Sequence, residues 1–324
     1  MELCVGLRKF APPAGGTVLT IGNFDGVHRG HARLIETAQA LAQRHAVAVT
    51  ALTFHPHPLA ILAPERAPTP LTTLAEKLVQ LERLGVTSCI VLRTDPVLLA
   101  QQATDFLASL VAHCRPRALV EGPGFHFGHG RSGSIATLQE HAAHWGYAVH
   151  VVPTVHCVEL PTHPIISSTS IRQALRDGRV GEANAMLGRP YRVVGTVGGG
   201  VGRGARLGFP TANLEGVVHL LPQEAVYAAA AQLDSGVLHL AAANIGPQPT
   251  FAQSPSRVEA HLLDYRGELR GLRFGLHFLA RLREQQKFAG VHELTEQLHR
   301  DVAATRAMAP QVDELRRRGL VPLH

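Results

Sequence analysis

The sequence predicts two domains: an α/β domain built on a doubly wound parallel sheet, then a small antiparallel β-barrel with a closing helix. Three observations predict it. Strand-like and helix-like stretches alternate through the first half of the chain, the pattern of a parallel sheet with crossover helices. From Tyr191 onward, short β-prone runs are separated by Gly- and Pro-rich turns with no long helices between them, the pattern of a small barrel. The 324 residues exceed one ordinary domain, and 45% of them are apolar, enough to build two cores.

The elements follow in order. Residues 17–21 read as a strand, and 30–44 as a helix because Leu34, Ile35, Ala38, Leu41 and Ala42 recur on one side. Residues 46–54 form a second strand, apolar enough for the interior of a parallel sheet. The stretch 73–84 is helical, with Leu74, Leu78 and Leu81 in register and Gly85 as its stop. Strands at 88–92 and 118–121 flank a helix around 104–112. Ser134 opens a helix ending near Trp145, and 147–152 returns to the sheet. In the second half the expected strands are 192–197, 226–232, 237–242, 258–263 and 272–279, and 291–306 is the closing helix. The pattern changes at Gly188-Arg189-Pro190. This sets domains at 1–187 and 188–307, and leaves 308–324 as a polar tail with a short helical piece.

Composition narrows the function classes. No apolar run approaches the roughly 20 residues that cross a bilayer, and the opening MELCVGLRKF is too short and too charged for a secretory core. The expected location is the cytoplasm, with no membrane partner. Cys4, Cys89, Cys114 and Cys157 are too far apart for zinc-ribbon spacing and read as buried free thiols. The charge is +6, from 31 Lys and Arg against 25 Asp and Glu, and suits anionic ligands. The basic residues are nevertheless dispersed and aromatics are only 5%, so nucleic acid is not an expected partner. Self-association is left open, and the 20 histidines are scattered.

The first motif is Thr20-Ile21-Gly22-Asn23-Phe24-Asp25-Gly26-Val27-His28-Arg29-Gly30-His31, running from a strand into a helix. There an α/β sheet offers backbone N–H groups and a helix N-terminus to an anion. Gly22, Gly26 and Gly30 allow a tight turn and close approach of phosphate. His28 and His31, three apart, can face one way and donate to phosphates as charge develops. The competing reading is a capped helix with two exposed histidines. His55 and His57 could by themselves be a metal pair, but no third ligand is near in the sequence.

This segment resembles the histidine-containing signature of nucleotidyltransferases, and FDGVHRGH is similar to the adenylyltransferase module of bifunctional riboflavin kinase/FAD synthetases. The resemblance continues at Thr53-Phe54-His55-Pro56-His57-Pro58, at Gly128-His129-Gly130-Arg131-Ser132-Gly133 and at Ile166-Ser167-Ser168-Thr169-Ser170-Ile171-Arg172. It implies that Gly22, Asn23, Phe24, Asp25, Gly26, Gly30, Ser168 and Thr169 bind ATP and its phosphates. It also implies that His28, His31 and Arg172 are catalytic, and that His55, Pro56, His57, Pro58 and Phe125 lie at the flavin. Ser168 or Thr169 would cap a helix, with Arg172 as a guanidinium clamp on phosphate. One departure stands out: Gly124 occupies a position where the family usually has Asp or Asn.

A second set lies in the barrel. The glycine run 198–204, with Gly202 and Gly204 assigned to ATP, ends in no Gly-Lys-Ser/Thr and is not a P-loop. The following Pro210-Thr211-Ala212-Asn213 resembles the diagnostic motif of riboflavin kinases, which implies that Thr211 and Asn213 hold a metal, Mg2+ with Mn2+ as the alternative. The resemblance extends over residues 244–251, Val258-Glu259-Ala260-His261-Leu262, Leu282-Arg283 and Lys287-Phe288, and makes Glu259 the general base, ahead of Glu268. Ala225 and Arg270 are smaller departures, where Gly and Tyr are usual. The expected activities are phosphorylation of riboflavin to FMN in the barrel and transfer of AMP from ATP to FMN, giving FAD, in the first domain. The alternatives are a nucleotidyltransferase for another phosphate ester with an accessory barrel, and a binding-only regulator.

Overall fold

The computed structural model describes residues 1–199, 207–246, 257–319 and 322–323. These pack into two compact units, one of residues 1–68 with 77–156, the other of 69–76 with 157–324. The helices between residues 157 and 187 therefore group by contacts with the barrel.

In the first unit, β1 (Glu2–Val5) precedes β2 (Thr17–Ile21), α1 (Arg29–His45) and β3 (Ala48–His55). A short α2 (Leu59–Leu62), α3 (Leu74–Arg83) and β4 (Ser88–Arg93) follow. Then come α4 (Pro96–Leu99), α5 (Ala103–Cys114), β5 (Pro116–Glu121), a small β6 (His126–Phe127) and β7 (Gly133–Ser134) pair, α6 (Ile135–Trp145) and β8 (Ala148–Val151). The sheet runs β1-β4-β3-β2-β5-β8, every neighbouring pair parallel. Chain order reverses between β2 and β5, which places the crevice that binds ligands in such sheets at their C-terminal ends. One core layer joins Leu19, Leu52, Ile90 and Leu119 of the sheet to Phe106, Leu107 and Leu110 of α5 and Leu138 of α6.

Helix α1 buries Ile35, Ala38, Leu41 and Ala42, four of the five expected side chains. Its left-handed C-cap is Ala46, at φ 53°, so β3 starts two residues later than the apolar run suggested. On α3 the expected apolar register holds only in part. Leu81 is fully buried and Leu74 and Leu78 half-buried, whereas Glu76 and Lys77 are buried. The four cysteines are free and buried, and burial pushes the thiols of Cys89 and Cys114 up to about 12.

In the second unit, α7 (Ser168–Arg176) and α8 (Val180–Leu187) lead into β9 (Tyr191–Gly198), β10 (Ala212–Glu215), β11 (Ala225–Leu233), β12 (Leu238–Gly246), β13 (Arg257–Leu262) and β14 (Arg273–Arg283). These strands close into an antiparallel barrel in the order β10-β13-β12-β11-β14-β9. Tyr227 meets Phe278 edge-on at 5.3 Å inside it. Helix α9 (Val291–Arg306) contacts β11 and β12. Helix α10 (Ala309–Arg318) brings Val312 and Leu315 onto Ala230 and Leu238. Strands β1 and β10 and the short helices α2 and α4 were not anticipated.

Candidate active sites

The first site is built where β2 ends. The turn from Gly22 to His28 carries three positive φ values, Phe24 at 47°, Gly26 at 82° and Val27 at 38°. A β-branched residue there is a strained exception, held by the burial of Phe24, Asp25, Val27 and His28. His28 caps α1, and the two histidines form a reciprocal box: His31 N donates to His28 Nδ1 and His28 N to His31 Nδ1, both at 3.3 Å. The rings stack 3.6 Å apart at 17°, and Phe24 meets His31 edge-on at 5.1 Å. Since each Nδ1 accepts a backbone N–H, each neutral ring carries its proton on Nε2. Both donors then belong to a rigid stacked pair at a helix N-terminus. The two histidines do share one face, and with His28 buried and His31 half-buried they are not an exposed cap.

Strand β3 supplies the neighbouring wall. Thr53 Oγ1 donates to Asn23 O at 3.2 Å, and Lys77 Nζ lies 3.4 Å from Thr53 Oγ1. Lys77 is buried, and its burial lowers its pKa while Asp25 pulls the other way. His57 Nε2 is 3.2 Å from Asn23 Nδ2, and His57 Nδ1 accepts from Leu59 N at 3.1 Å. With both ring nitrogens engaged, His57 is not poised as half of a metal pair. His55 is exposed, and Pro56 and Pro58 are half-buried beside it. Partial burial and then Lys77 lower the pKa of His55. Phe125 stacks on Phe127 at 5.4 Å in the loop after β5, while Gly124 is exposed with nothing within 4 Å of where a Cβ would stand. Sequence reasoning missed Lys77; a lysine between leucines on an amphipathic helix gives no sign of burial.

Ser168, Thr169 and Arg172 lie on α7, in the second compact unit. The cap is Ser167, not Ser168 or Thr169: Ser167 Oγ accepts from Ser170 N at 3.0 Å, and Ser168 and Thr169 are the first helical residues. The correction is one of backbone angle, because only Ser167 is extended, at φ −147° and ψ 159°. Arg172 is buried, and its Nε donates to Thr69 O at 2.9 Å.

The second site is a row across three barrel strands. Asn213 on β10 pairs with Glu259 on β13, which pairs with Asn244 on β12. Their sequence neighbours Ala212, Leu214, Val258, Ala260, Ala243 and Ile245 are buried, so the three polar side chains share the opposite face. Among the described residues Asn213 Oδ1 is buried without a hydrogen-bond partner, and Asn244 accepts from Gln285. Thr211 is exposed beside this row, and its turn is held by His261, whose Nδ1 donates to Pro210 O at 2.8 Å. Phe209 packs edge-on against His261 and His299 at 5.5 and 5.2 Å. An open cleft of about 540 Å³ lies between Gly198, Gly199 and Thr211 on one side and Glu268 and Arg270 on the other. Arg283 forms a two-pronged ion pair with Asp301, 3.0 and 2.8 Å. Gly202, Gly204 and the motif residues 247–251 lie outside the described residues.

A histidine-capped turn into a helix on a parallel sheet, followed by a barrel with a carboxylate between two amides, fits a two-module transferase. Comparison with known proteins agrees. Residues 11–170 match the FAD synthetase family model and residues 187–309 the riboflavin kinase model. The chain is 37% identical over 309 residues to the bifunctional riboflavin kinase/FMN adenylyltransferase of Escherichia coli K12, covering 94% of this chain and 97% of that one. It is 35% identical to the Pseudomonas fluorescens protein of the same name, covering 95% and 98%. A crystal structure titled as a macrolide-efflux protein from Streptococcus pneumoniae superposes with a TM-score of 0.84 at 28% identity, covering 94% of this chain and 99% of that one. The chain belongs to the family of bifunctional riboflavin kinase/FMN adenylyltransferases. No helix among the described residues is long and apolar enough to cross a membrane.

Proposed function

We propose that this chain makes FMN from riboflavin and ATP in its barrel module, residues 188–307, and FAD from FMN and ATP in its first module, residues 1–187. In the barrel, Glu259 accepts the proton of the riboflavin 5′-hydroxyl. The oxygen attacks the γ-phosphorus of ATP, and ADP leaves. In the first module, a phosphate oxygen of FMN attacks the α-phosphorus of ATP, and the bond to the bridging oxygen breaks to release pyrophosphate. The Nε2–H groups of His28 and His31 and the α1 N-terminus stabilise the charge that gathers on the phosphates. His57, Pro56 and Phe125 border the flavin.

The barrel residues fit a hard divalent cation. Asn213 offers an amide oxygen that is buried and, among the described residues, without a partner, and Thr211 lies two residues before it. Mg2+, or Mn2+ in its place, would be held by these two and would neutralise phosphate charge. The observation that carries the reading is the row Asn213–Glu259–Asn244. An accessory barrel has no need of an unpartnered buried amide oxygen facing a carboxylate across a strand pair.

A chromatographic time course with riboflavin, ATP and Mg2+ tests it. FMN should appear first and FAD second. E259Q should stop FMN formation, by about a hundredfold or more for a lost general base, and spare FAD formation from supplied FMN. H28A should do the reverse. Equal loss of both activities in either variant would overturn the assignment of separate sites.

A further inference from the structure

Strands β2 and β5 part at their C-terminal ends, where the sheet reverses its chain order. Their ladder pairs Thr17 with Pro116, Val18 with Ala118 and Leu19 with Leu119, and goes no further. Successive N–H groups of a parallel strand face opposite neighbours. Gly22 N faces β3, donating to Leu52 O at 3.0 Å, so Ile21 N faces β5. What it meets there is the side chain of Glu121: Ile21 N donates to Glu121 Oε1 at 2.7 Å. The carbonyl of Glu121 is taken by Val152 N at 2.8 Å. The carboxyl thus replaces a ladder bond where the two strands have separated.

A carboxyl group in this place is costly. Glu121 is 2% exposed, and burial pushes its acid well above the usual carboxylate range against the pull of the Ile21 N–H. An apolar side chain would fill the same volume without that cost, but would leave Ile21 N–H buried without this acceptor. Glu121 also joins two loops. Its acceptor oxygen meets the residue just before the Gly22–Asn23 turn, and its own backbone runs directly into Gly122-Pro123-Gly124-Phe125. On the far side the same turn is tied through Thr53 Oγ1 to Asn23 O.

We propose that Glu121 is a positioning residue for adenylyl transfer: its carboxyl bridges the opening between β2 and β5 and fixes how the phosphate turn leaves the sheet. It thereby sets where the α-phosphorus stands relative to His28 and His31. The inference rests on the adenylyl-transfer reading given above. The bridge needs only an acceptor oxygen at this reach, and an amide of the same length supplies one.

The test is steady-state FAD formation from FMN, ATP and Mg2+ by the full chain, with FMN formation by the same preparations as the barrel's internal control. Wild-type protein that makes no FAD refutes the adenylyl-transfer reading itself, whatever the variants do. Given wild-type turnover, E121Q should retain kcat within about threefold, because it keeps both length and acceptor. E121L and E121D should lose roughly thirtyfold or more in kcat, with KM for ATP within about threefold, since a misplaced turn binds but holds the reacting atoms off line. FMN formation should stay within about twofold in all three. The proposal is overturned if E121D or E121L keeps wild-type kcat, if E121Q falls with them, or if the loss lies in KM alone. Should E121L fail to fold, the contrast between E121Q and E121D decides.

Discussion

Gly124 stands in the loop after β5 with open space around it and a φ outside the left-handed region, so nothing in the fold asks for glycine there. Gly124→Asp should therefore leave stability within about 0.5 kcal/mol of wild type. It should also lower KM for FMN in FAD formation several-fold, about the worth of one hydrogen bond of roughly 1 kcal/mol. Melting and steady-state kinetics on one preparation check both halves. An unchanged KM would show that the flavin is held without this position. At this scale the local geometry was legible where identity and spacing carry it, as with the shared face of His28 and His31. The burial of Glu121 and Lys77 was not, because burial of a single acidic or basic side chain depends on partners distant in sequence. The one available sign was a Glu closing an apolar strand directly before a glycine loop.

Periodicity located the longer elements because a buried face repeats along them. Helix α9 is bounded as expected, at Val291–Arg306. Strand β10 escaped because Ala212-Asn213-Leu214-Glu215 has little β propensity, and its neighbours β9 and β13 impose the conformation from both sides. Strand β1 escaped because it is four residues long on the edge of the sheet, with only Cys4 buried. Helix ends are harder still, since several serines in a row offer the same chemistry and only backbone angles choose among them. For α7 the choice is Ser167, and Ser167→Ala should cost about 1 kcal/mol. Thr169→Ala, at an exposed helical position, should stay within about 0.5 kcal/mol. Denaturant titrations of the two variants distinguish the caps: equal effects would mean that Ser167 is not the cap that matters.

For the molecule as a whole, a buried charge cluster on the barrel unit joins segments far apart in the chain. Glu76 pairs with Arg192 Nη2 at 2.6 Å and with His219 Nε2 at 2.6 Å, and Thr73 N donates to it at 2.9 Å. Arg192 also donates to Gln232 Oε1, which accepts from His277 Nε2 as well, at 3.1 and 3.0 Å. Burial alone would raise the pKa of Glu76, but His219, Arg192 and Thr73 outweigh it and hold the acid at about 2. Burial and then the Arg192 charge push His277 down to about 3. Both folded-state values lie below the unfolded ones, so in both cases the unfolded chain binds the proton first and stability falls as the solution is acidified. The His277 contribution begins to go near pH 6.5 and continues toward 3. That of Glu76 goes between about 4.5 and 2 and amounts to about 3 kcal/mol at neutral pH. Amide exchange of the barrel strands from pH 7 to 4 should therefore show opening free energies that fall with acid from about pH 6.5. Glu76→Gln should be less stable at pH 7 by about 3 kcal/mol, since it leaves Arg192 buried without its partner charge, and below pH 4.5 its stability should fall less steeply than wild type, because only the His277 contribution remains there. A barrel equally protected at pH 7 and pH 4 would mean that the cluster relaxes enough to take up protons while folded, and that the charges are held by solvent rather than by one another.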